Sequence, residues 1–267
     1  MIKKLTKKLT KFIACSALLL SSTSAWEKSI TTAPAGPYKA KKKCKLNYQL
    51  SWDGKLNSGE YTIEFDRNTG KSKTVSVKSY GKSSGFVRRI FPYDFNAVSK
   101  YNGSTLKPVS YHIWEQTKEE TKKLDGYFNN DLVTLKEVKT PLDTKVPENQ
   151  MRRYRSPNMF DLFSSTLYIG SQPLKNGDKI NLVCYPFNKP YLIKVKVLGR
   201  ENHLGHDCIK LDLKMNKIQS DKSLKTYDKM KATTMWITDN SDRVMVELRS
   251  KIFIGDVRAT LSSSEWN

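Results

Sequence analysis

The chain has 267 residues and a formal net charge of +21, because it holds 47 lysine and arginine residues but only 26 aspartate and glutamate residues. The length is sufficient for one large domain with a hydrophobic core, and a charge of this size attracts polyanions non-specifically. Beyond the N-terminal region no apolar run approaches the length of a transmembrane helix, which excludes a helical membrane protein.

The N-terminus has the order of features of a secretory leader. Five lysines precede the short apolar run Phe12–Leu20, and Thr23 and Ala25 occupy the −3 and −1 positions of a cleavage site. This order predicts a signal peptide over residues 1–25. A lipoprotein anchored through Cys15 is a less favoured alternative, because part of the apolar run would then follow the cysteine. Five basic residues and no acidic residue leave with the leader, so the mature chain carries +16.

Export restricts the polyanions that this basic protein can meet. We expect a protein that is periplasmic or associated with the outer envelope, where lipid headgroups, lipopolysaccharide and acidic glycans are available. The expected partners are therefore a lipid, an anionic glycan or another envelope protein. Nucleic acid is not expected as a partner.

The segment that follows the leader differs in composition from the rest of the chain. Residues 26–43 carry two prolines and five lysines without an apolar period, and they predict a flexible basic lead-in. Residues 44–267 are expected to form a single β domain.

The domain opens with strands that have one apolar and one polar face. Apolar side chains alternate with polar ones along 46–52, 61–65 and 75–77, with turns expected near Asp53–Gly54 and at 68–70. This alternation is typical of an antiparallel sheet with a single buried face.

Two helices and a loop are predicted in the middle of the chain. A helix is expected from Pro92 to Lys100, because Pro92 suits a helix start and Phe95 and Val98 fit one face. Pro141–Pro157 is read as a loop, and a second helix is expected from Met159 to about Tyr168.

Strands dominate the remainder, and together they set the fold class. Further strands are predicted at 109–117, 121–128, 132–139, 179–185, 191–199, 209–215, 232–239, 243–253 and 256–263. We expect a mainly β protein of roughly eleven strands and two short helices. Because strand twist accumulates, one curled antiparallel sheet, half-barrel or barrel-like, is the predicted architecture.

Three cysteines remain after the leader. In the predicted hairpins Cys184 lies opposite Tyr191 and Cys208 lies opposite Gly199, which separates the two cysteines by about eight residues along a strand. That separation is beyond the reach of a disulfide. A bridge, if present, is expected to involve Cys44, and three buried thiols are the alternative.

The order of several segments resembles an exported bacterial family known as domain of unknown function 3108. The segments that carry the resemblance are 46–52 with Gly59–Glu60, 161–168 with 174–178, Val197–Glu201, 236–240 with Arg243, and 254–261. Gly170 and Met245 depart from the family pattern, which has arginine and proline there. The resemblance implies an exported β protein and implies no activity. The layout is also distantly similar to periplasmic lipoprotein carriers, and that likeness is architectural only.

The sequence gives little support for a catalytic site or a metal-binding site. Gly81–Gly85 matches the nucleophile-elbow pattern around Ser83, but an elbow requires a parallel α/β sheet and a nearby histidine. His203, His206, Asp207 and Cys208 lie around a predicted hairpin turn, where ordinary turn residues are favoured over a metal site. We therefore expect a non-enzymatic protein without a cofactor or metal, and keep a serine hydrolase using Ser83 as a remote alternative.

The aromatic side chains on strands give the sharper hypothesis. Most aromatics are expected to fill the core, and Trp52 and Trp114 are the first candidates for lining an apolar cleft for an acyl chain or glycan. Lysines at strand ends would then meet an anionic headgroup. The predicted function is binding of an amphiphile or anionic envelope component on a curved sheet, and a structural or interaction module of an envelope complex is the alternative.

Overall fold

The computed structural model describes residues 24–39, 43–66, 74–227, 232–252 and 255–266. Nearly all of the predicted leader and the predicted turn at 68–70 lie outside the described residues. The described chain is mainly β, as predicted, with a short 3-10 helix at Glu27–Ser29. It has two α-helices, α1 (Gly85–Ile90) and α2 (Leu162–Ser171).

Sixteen strands are present among the described residues, more than the eleven that the sequence predicts. The first eight are β1 Cys44–Trp52, β2 Leu56–Asp66, β3 Thr74–Ser83, β4 Asp94–Asn102, β5 Pro108–Gln116, β6 Glu120–Asn129, β7 Leu132–Pro141 and β8 Glu148–Arg155. The others are β9 Met159–Asp161, β10 Lys179–Tyr185, β11 Tyr191–His203, β12 His206–Ile218, β13 Leu224–Thr226, β14 Ala232–Thr238, β15 Met245–Ile252 and β16 Gly255–Trp266.

All sixteen strands belong to one sheet that does not close. The order is β8-β7-β6-β5-β4-β3-β2-β1-β16-β15-β14-β12-β11-β10-β9, and β13 pairs with β12 beside this path. Every pairing is antiparallel except that of β9 with β10. The prediction of one curled antiparallel sheet is confirmed, and β8 and β9 are its two edges.

The predicted helix from Pro92 to Lys100 is wrong, because this segment forms β4. Ala97, Ser99 and Tyr101 are buried, whereas the side chains between them are more exposed, so the period is two rather than 3.6. The spacing of Phe95 and Val98 suggested a helical face, but Phe95 and Val98 lie on opposite faces of the strand. The helix in this region is α1, which ends before Pro92.

Two further predictions between residues 141 and 171 need correction. The predicted loop contains β8, whose side chains are almost all exposed because it is an edge strand, so it lacks an apolar alternation. The second helix begins at Leu162 rather than Met159. Residues Met159–Asp161 instead form β9, which pairs in parallel with β10.

The concave face of the sheet carries the core, and α2 lies against it. One cluster joins the inner side chains of β3 to β7 with Met159, Phe163, Val183 and Tyr185. A second cluster joins α2 with the inner side chains of β10, β11, β12 and β14. Neighbouring residues of β10, Leu182 and Val183, are both fully buried, so this strand near the edge of the sheet is covered on both faces.

Asp161 holds α2 in place. Its Oδ1 accepts hydrogen bonds from the backbone amides of Phe163 (2.7 Å) and Ser164 (2.9 Å), which forms the N-cap of the helix. Its Oδ2 accepts from the Ser99 hydroxyl on β4 at 2.7 Å. The carboxyl group is buried, and this burial raises its pKa. One side chain therefore caps α2 and joins it to β4.

Part of the predicted lead-in contacts the sheet and α2. The backbone amide of Thr31 donates to the carbonyl oxygen of Asn181 at 2.9 Å, and the Tyr168 hydroxyl donates to the carbonyl oxygen of Ala33 at 2.6 Å. The amide of Gly36 donates to Ser171 Oγ at 3.0 Å. Residues 26–39 thus run along β10 and the C-terminal end of α2.

The three cysteines are buried, and one of them has a different strand partner from the predicted one. Cys44, Cys184 and Cys208 are buried, and Cys184 pairs with Tyr191 as predicted. Cys208 pairs with Glu201 rather than Gly199, because the turn is tighter than the predicted one at 202–205 and already pairs His203 with His206. Burial raises the pKa of Cys208 to about 11 and raises the pKa of Cys184 further, so both are poor nucleophiles.

We predict that Asp161→Ala lowers the free energy of unfolding by about 1–3 kcal/mol, because the helix loses its cap and the Ser99 hydroxyl loses its acceptor. Urea unfolding followed by circular dichroism measures this change. Asp161→Asn is the matched control, since it keeps an acceptor for the two amides and should retain most of the stability. An unchanged urea midpoint for Asp161→Ala would contradict this role.

Candidate functional site

An apolar cavity lies between α2 and the concave face of the sheet. We call it the inner cavity, and its volume is about 240 Å³. Strands β1 and β2 contribute Tyr48, Tyr61, Ile63 and Phe65, and the facing strands contribute Leu213, Met215, Met235, Met245 and Leu248. Helix α2 forms a further wall with Leu162, Phe163, Leu167 and Ile169. The lining is thus mainly aliphatic, aromatic or thioether, and its charged members are Lys214, Asp242 and Arg243.

Burial of polar groups around the inner cavity explains why it stays apolar. The Tyr48 hydroxyl donates to the carbonyl oxygen of Met245 at 3.0 Å, which leaves the ring to face the cavity. Burial raises the pKa of Tyr61 to about 12 and that of Tyr48 further still. Both phenols therefore remain neutral at physiological pH.

A second cavity adjoins the first at the end of the sheet where β1 ends and β2 begins. We call this end the mouth, and this cavity, of about 430 Å³, the mouth cleft. Tyr61 and Leu162 line both the mouth cleft and the inner cavity, so the two spaces are neighbours across these side chains. The mouth cleft is also apolar, and its other lining residues include Leu50, Trp52, Val87, Phe91, Phe95 and Val257.

A third cavity at the mouth is polar. This basic cleft, also about 430 Å³, shares Phe187 with the mouth cleft. Its lining includes Lys122, Lys189 and Lys217 together with Glu115 and Glu137. The loop that carries Phe187 is anchored from inside, because the Tyr111 hydroxyl donates to the Phe187 carbonyl oxygen at 2.7 Å.

Both carboxylates of the basic cleft already have partners. Glu115 lies 3.5 Å from Lys122 Nζ and accepts from the Tyr93 hydroxyl at 2.8 Å. Glu137 lies 3.5 Å from Arg152 Nη1, and its Oε2 accepts from the Asn188 amide. The other oxygen of Glu137, Oε1, has no hydrogen-bond partner in the described part of the chain and can accept one from a ligand hydroxyl or amine.

Lys189 and Lys217 form a like-charged pair in the basic cleft. Both are half-buried, and neither forms an ion pair with any acidic residue that the structure describes. The charge of Lys217, followed by desolvation and the charge of Arg152, lowers the pKa of Lys189. Because neither lysine is held in an ion pair, this is the point of the cleft where an anion gains most.

The structure separates the two tryptophans that the sequence singles out. Trp52 lies at the end of β1 and lines the mouth cleft. Gly255 leaves room for its indole, because a Cβ at that glycine would lie 2.5 Å from Trp52 Nε1. Trp114 pairs with Asn96 and Lys123, between the buried inner residues Ile113 and Glu115, so it faces outward and lines none of the three cavities.

Ser83 lies at the end of β3, immediately before α1, and also lines the mouth cleft. Its Oγ accepts a hydrogen bond from the Tyr93 amide at 3.0 Å. The neighbouring strands are antiparallel, and none of the described residues that line this cleft is a histidine. The local sequence pattern is therefore present without the base and the parallel sheet that an elbow needs.

The histidines lie on the outer surface and make structural contacts. His203 stacks on Trp236 with ring centroids 4.1 Å apart, and its Nε2 lies 2.5 Å from Glu247 Oε2. His112 Nδ1 lies 2.7 Å from Asp125 Oδ1. No group of three or more metal-ligating side chains occurs within the described ranges, which include His203, His206, Asp207 and Cys208.

Sequence reasoning missed the walls of the cavities. Helix α2 was predicted as an element, but no sequence signal shows that Leu162 and Phe163 face a space rather than solid core. The half-buried lysines could be found only after strands β10 to β12 were aligned, because Lys189 and Lys217 are distant in the chain and meet across the turn beside Tyr191.

Comparison with models of protein families shows the family to which the chain belongs. Residues 47–262 match the family described as a protein of unknown function, DUF3108. The chain belongs to the DUF3108 family. Gly170 and Met245, where the sequence resemblance led us to expect arginine and proline, both line the inner cavity.

Several segments that carry the DUF3108 resemblance meet at the end of the sheet opposite the mouth. Arg200 Nε lies 2.7 Å from Asp239 Oδ2, and Arg243 Nη1 lies 2.6 Å from Asp239 Oδ1. The Trp236 Nε1 group donates to Glu201 Oε1 at 2.6 Å. These residues join β11 to β14, so their role in this structure is to hold the fold.

Solved structures of similar fold are known. A β-barrel-like protein of the DUF1849 family from Brucella abortus has a TM-score of 0.54 at 10% identity, over 85% of this chain and 99% of that one. A putative exported protein with a YmcC-like fold from Bacteroides fragilis has a TM-score of 0.32 at 10% identity, over 87% of this chain and 99% of that one. The first likeness shows a barrel-like fold and nothing about activity.

No curated protein matches the chain. Among the helices in the described part of the chain, none has the length and apolar character needed to cross a bilayer.

We predict that a fluorophosphonate probe leaves Ser83 unlabelled, because its hydroxyl is held by the Tyr93 backbone and no base adjoins it. In-gel fluorescence of the labelled chain tests this, with trypsin as the positive control. A signal that disappears in Ser83→Ala would revive the hydrolase reading.

Proposed function

We propose that this DUF3108 protein is a non-enzymatic exported envelope protein that binds an anionic amphiphile. The apolar chain of the ligand occupies the inner cavity and the mouth cleft, and its anionic head lies in the basic cleft beside Lys189 and Lys217. The predicted leader supports the exported location, and the mature charge of +16 favours anionic ligands.

The inner cavity is the observation that most strongly supports this proposal. Protein interiors are close-packed, and spaces larger than a water molecule are few in each domain. A dry apolar cavity of about 150 Å³ is already large enough to bind benzene. The inner cavity alone, at about 240 Å³, exceeds that size, and an apolar cleft adjoins it. An acyl chain, which needs an elongated apolar space, fits this lining better than a glycan does.

The arrangement of the three spaces favours an amphiphile over a purely apolar ligand. The inner cavity is deep and apolar, the mouth cleft lies next to it, and the polar basic cleft adjoins the mouth cleft at Phe187. A ligand with an apolar tail inside would therefore have its head near the mouth. Lys189 and Lys217, neither of which forms an ion pair with a described acidic residue, lie where that head would be.

We predict that Leu213→Trp weakens binding of a dansyl-labelled fatty acid by more than about tenfold, because the larger side chain fills the inner cavity. Fluorescence titration measures the affinity. The matched control is Asp212→Trp, which places the same ring on the outer face of the same strand and should bind like the unchanged chain. Equal affinities for both variants, or no binding by the unchanged chain, would reject the cavity as the ligand site.

We predict that Lys189→Gln combined with Lys217→Gln weakens binding of the same fatty acid by about three- to tenfold, which is the effect expected for partly exposed charge pairs. Binding of its uncharged methyl ester should not change. Lys194→Gln combined with Lys196→Gln removes the same net charge from exposed positions on β11 and is the control. A parallel loss for acid and ester, or an equal loss in the control, would show that the lysine pair does not recognise the head.

A further inference from the structure

Helix α1 presents an apolar surface to solvent at the mouth. Phe86, Ile90 and Phe91, which we call the α1 rim, have exposed fractions of 59%, 47% and 60%. Phe86 and Ile90 are four residues apart and so lie on one face of the helix. Such side chains normally fold inward, and an exposed apolar cluster marks a site of interaction with a protein or a membrane.

The α1 rim is held outward by the structure around it. The Arg88 side chain makes two hydrogen bonds to the Asp94 carboxylate, at 3.0 and 2.8 Å, which fixes α1 to the start of β4. The amide of Ser84 donates to the carbonyl oxygen of Ser58 at 3.1 Å, which fixes the other end to β2. Val87 lies on an adjacent part of the helix surface and lines the mouth cleft, as does Phe91. The rim is therefore a rigid apolar edge beside the entrance to a cavity.

Basic side chains accompany the rim. Arg89 lies between Phe86 and Ile90 in the helix, is exposed, and forms no ion pair with any acidic residue in the described ranges. Lys55, in the turn just before β2, is also exposed. Exposed aromatic rings together with uncompensated cations are the combination that binds the interface of an anionic bilayer, where the rings enter the headgroup region and the cations meet lipid phosphates.

We infer that the α1 rim docks the mouth of this protein onto an anionic membrane surface. In this position the mouth cleft opens toward the lipid, and an amphiphile passes between bilayer and cavity without exposing its tail to water. The inference concerns the outer rim, so it stands or fails separately from ligand binding in the cavity.

Sedimentation with vesicles of phosphatidylglycerol and phosphatidylethanolamine tests the inference. The mature chain should co-sediment with these vesicles, bind vesicles of phosphatidylcholine alone more weakly, and lose binding as the salt concentration rises. Phe86→Ser combined with Ile90→Ser should weaken vesicle binding by about tenfold, because two apolar side chains no longer enter the bilayer. Arg89→Gln should weaken binding to the anionic vesicles only.

The control is Leu204→Ser, which removes an equally exposed apolar side chain, 59% accessible, from the hairpin at the opposite end of the sheet. Phe86 and Ile90 do not line the cavities, so the double variant should bind the dansyl-labelled fatty acid normally. Absence of vesicle binding by the unchanged chain, or an equal loss in Leu204→Ser, would overturn the membrane inference and leave the cavity proposal to its own test.

Discussion

A single curled sheet has a concave apolar face, and the rest of the structure depends on how that face is kept from water. The two halves of the sheet cannot cover it by themselves, because the strand order ends in two edges rather than closing. Helix α2 covers much of the face and is fixed there by the buried Asp161 carboxyl group. One short helix is too small to fill the whole concavity, and the inner cavity is the part that remains.

This constraint also explains why one part of the interior is apolar and another part is charged. Close to α2 the inner side chains are aliphatic and aromatic, and the phenols of Tyr48 and Tyr61 stay neutral. Toward the mouth, where strands end and water enters, the inner face carries Glu115, Lys122 and Lys217. An apolar interior with a charged cleft at one end is the complement of an amphiphile, and the α1 rim lies at that end, beside the apolar mouth cleft.

The sequence predicts the fold better than the site. Alternation along 46–52 and 209–215 is strong because one face of each strand is buried, so the single antiparallel sheet could be predicted. Strand β4 was mistaken for a helix because the spacing of Phe95 and Val98 fits one face of a helix, and the edge strand β8 gave no apolar signal. Of the two proposed ligand-binding residues, Trp52 lines the mouth cleft and Trp114 faces outward, because a strand residue can be assigned to a face only when its neighbours are known. A cavity forms where side chains from distant strands leave a space between them, and no sequence pattern predicts where this happens.

The central claim is that a ligand tail lies between α2 and the sheet, and methyl NMR tests it most directly. Met215, Met235 and Met245 line the inner cavity, whereas Met151 is exposed on the edge strand β8. A fatty acid with a nitroxide at the end of its chain should broaden the methyl signals of the three cavity methionines far more than that of Met151. Equal broadening of all four signals, or the strongest broadening at Met151, would contradict the account.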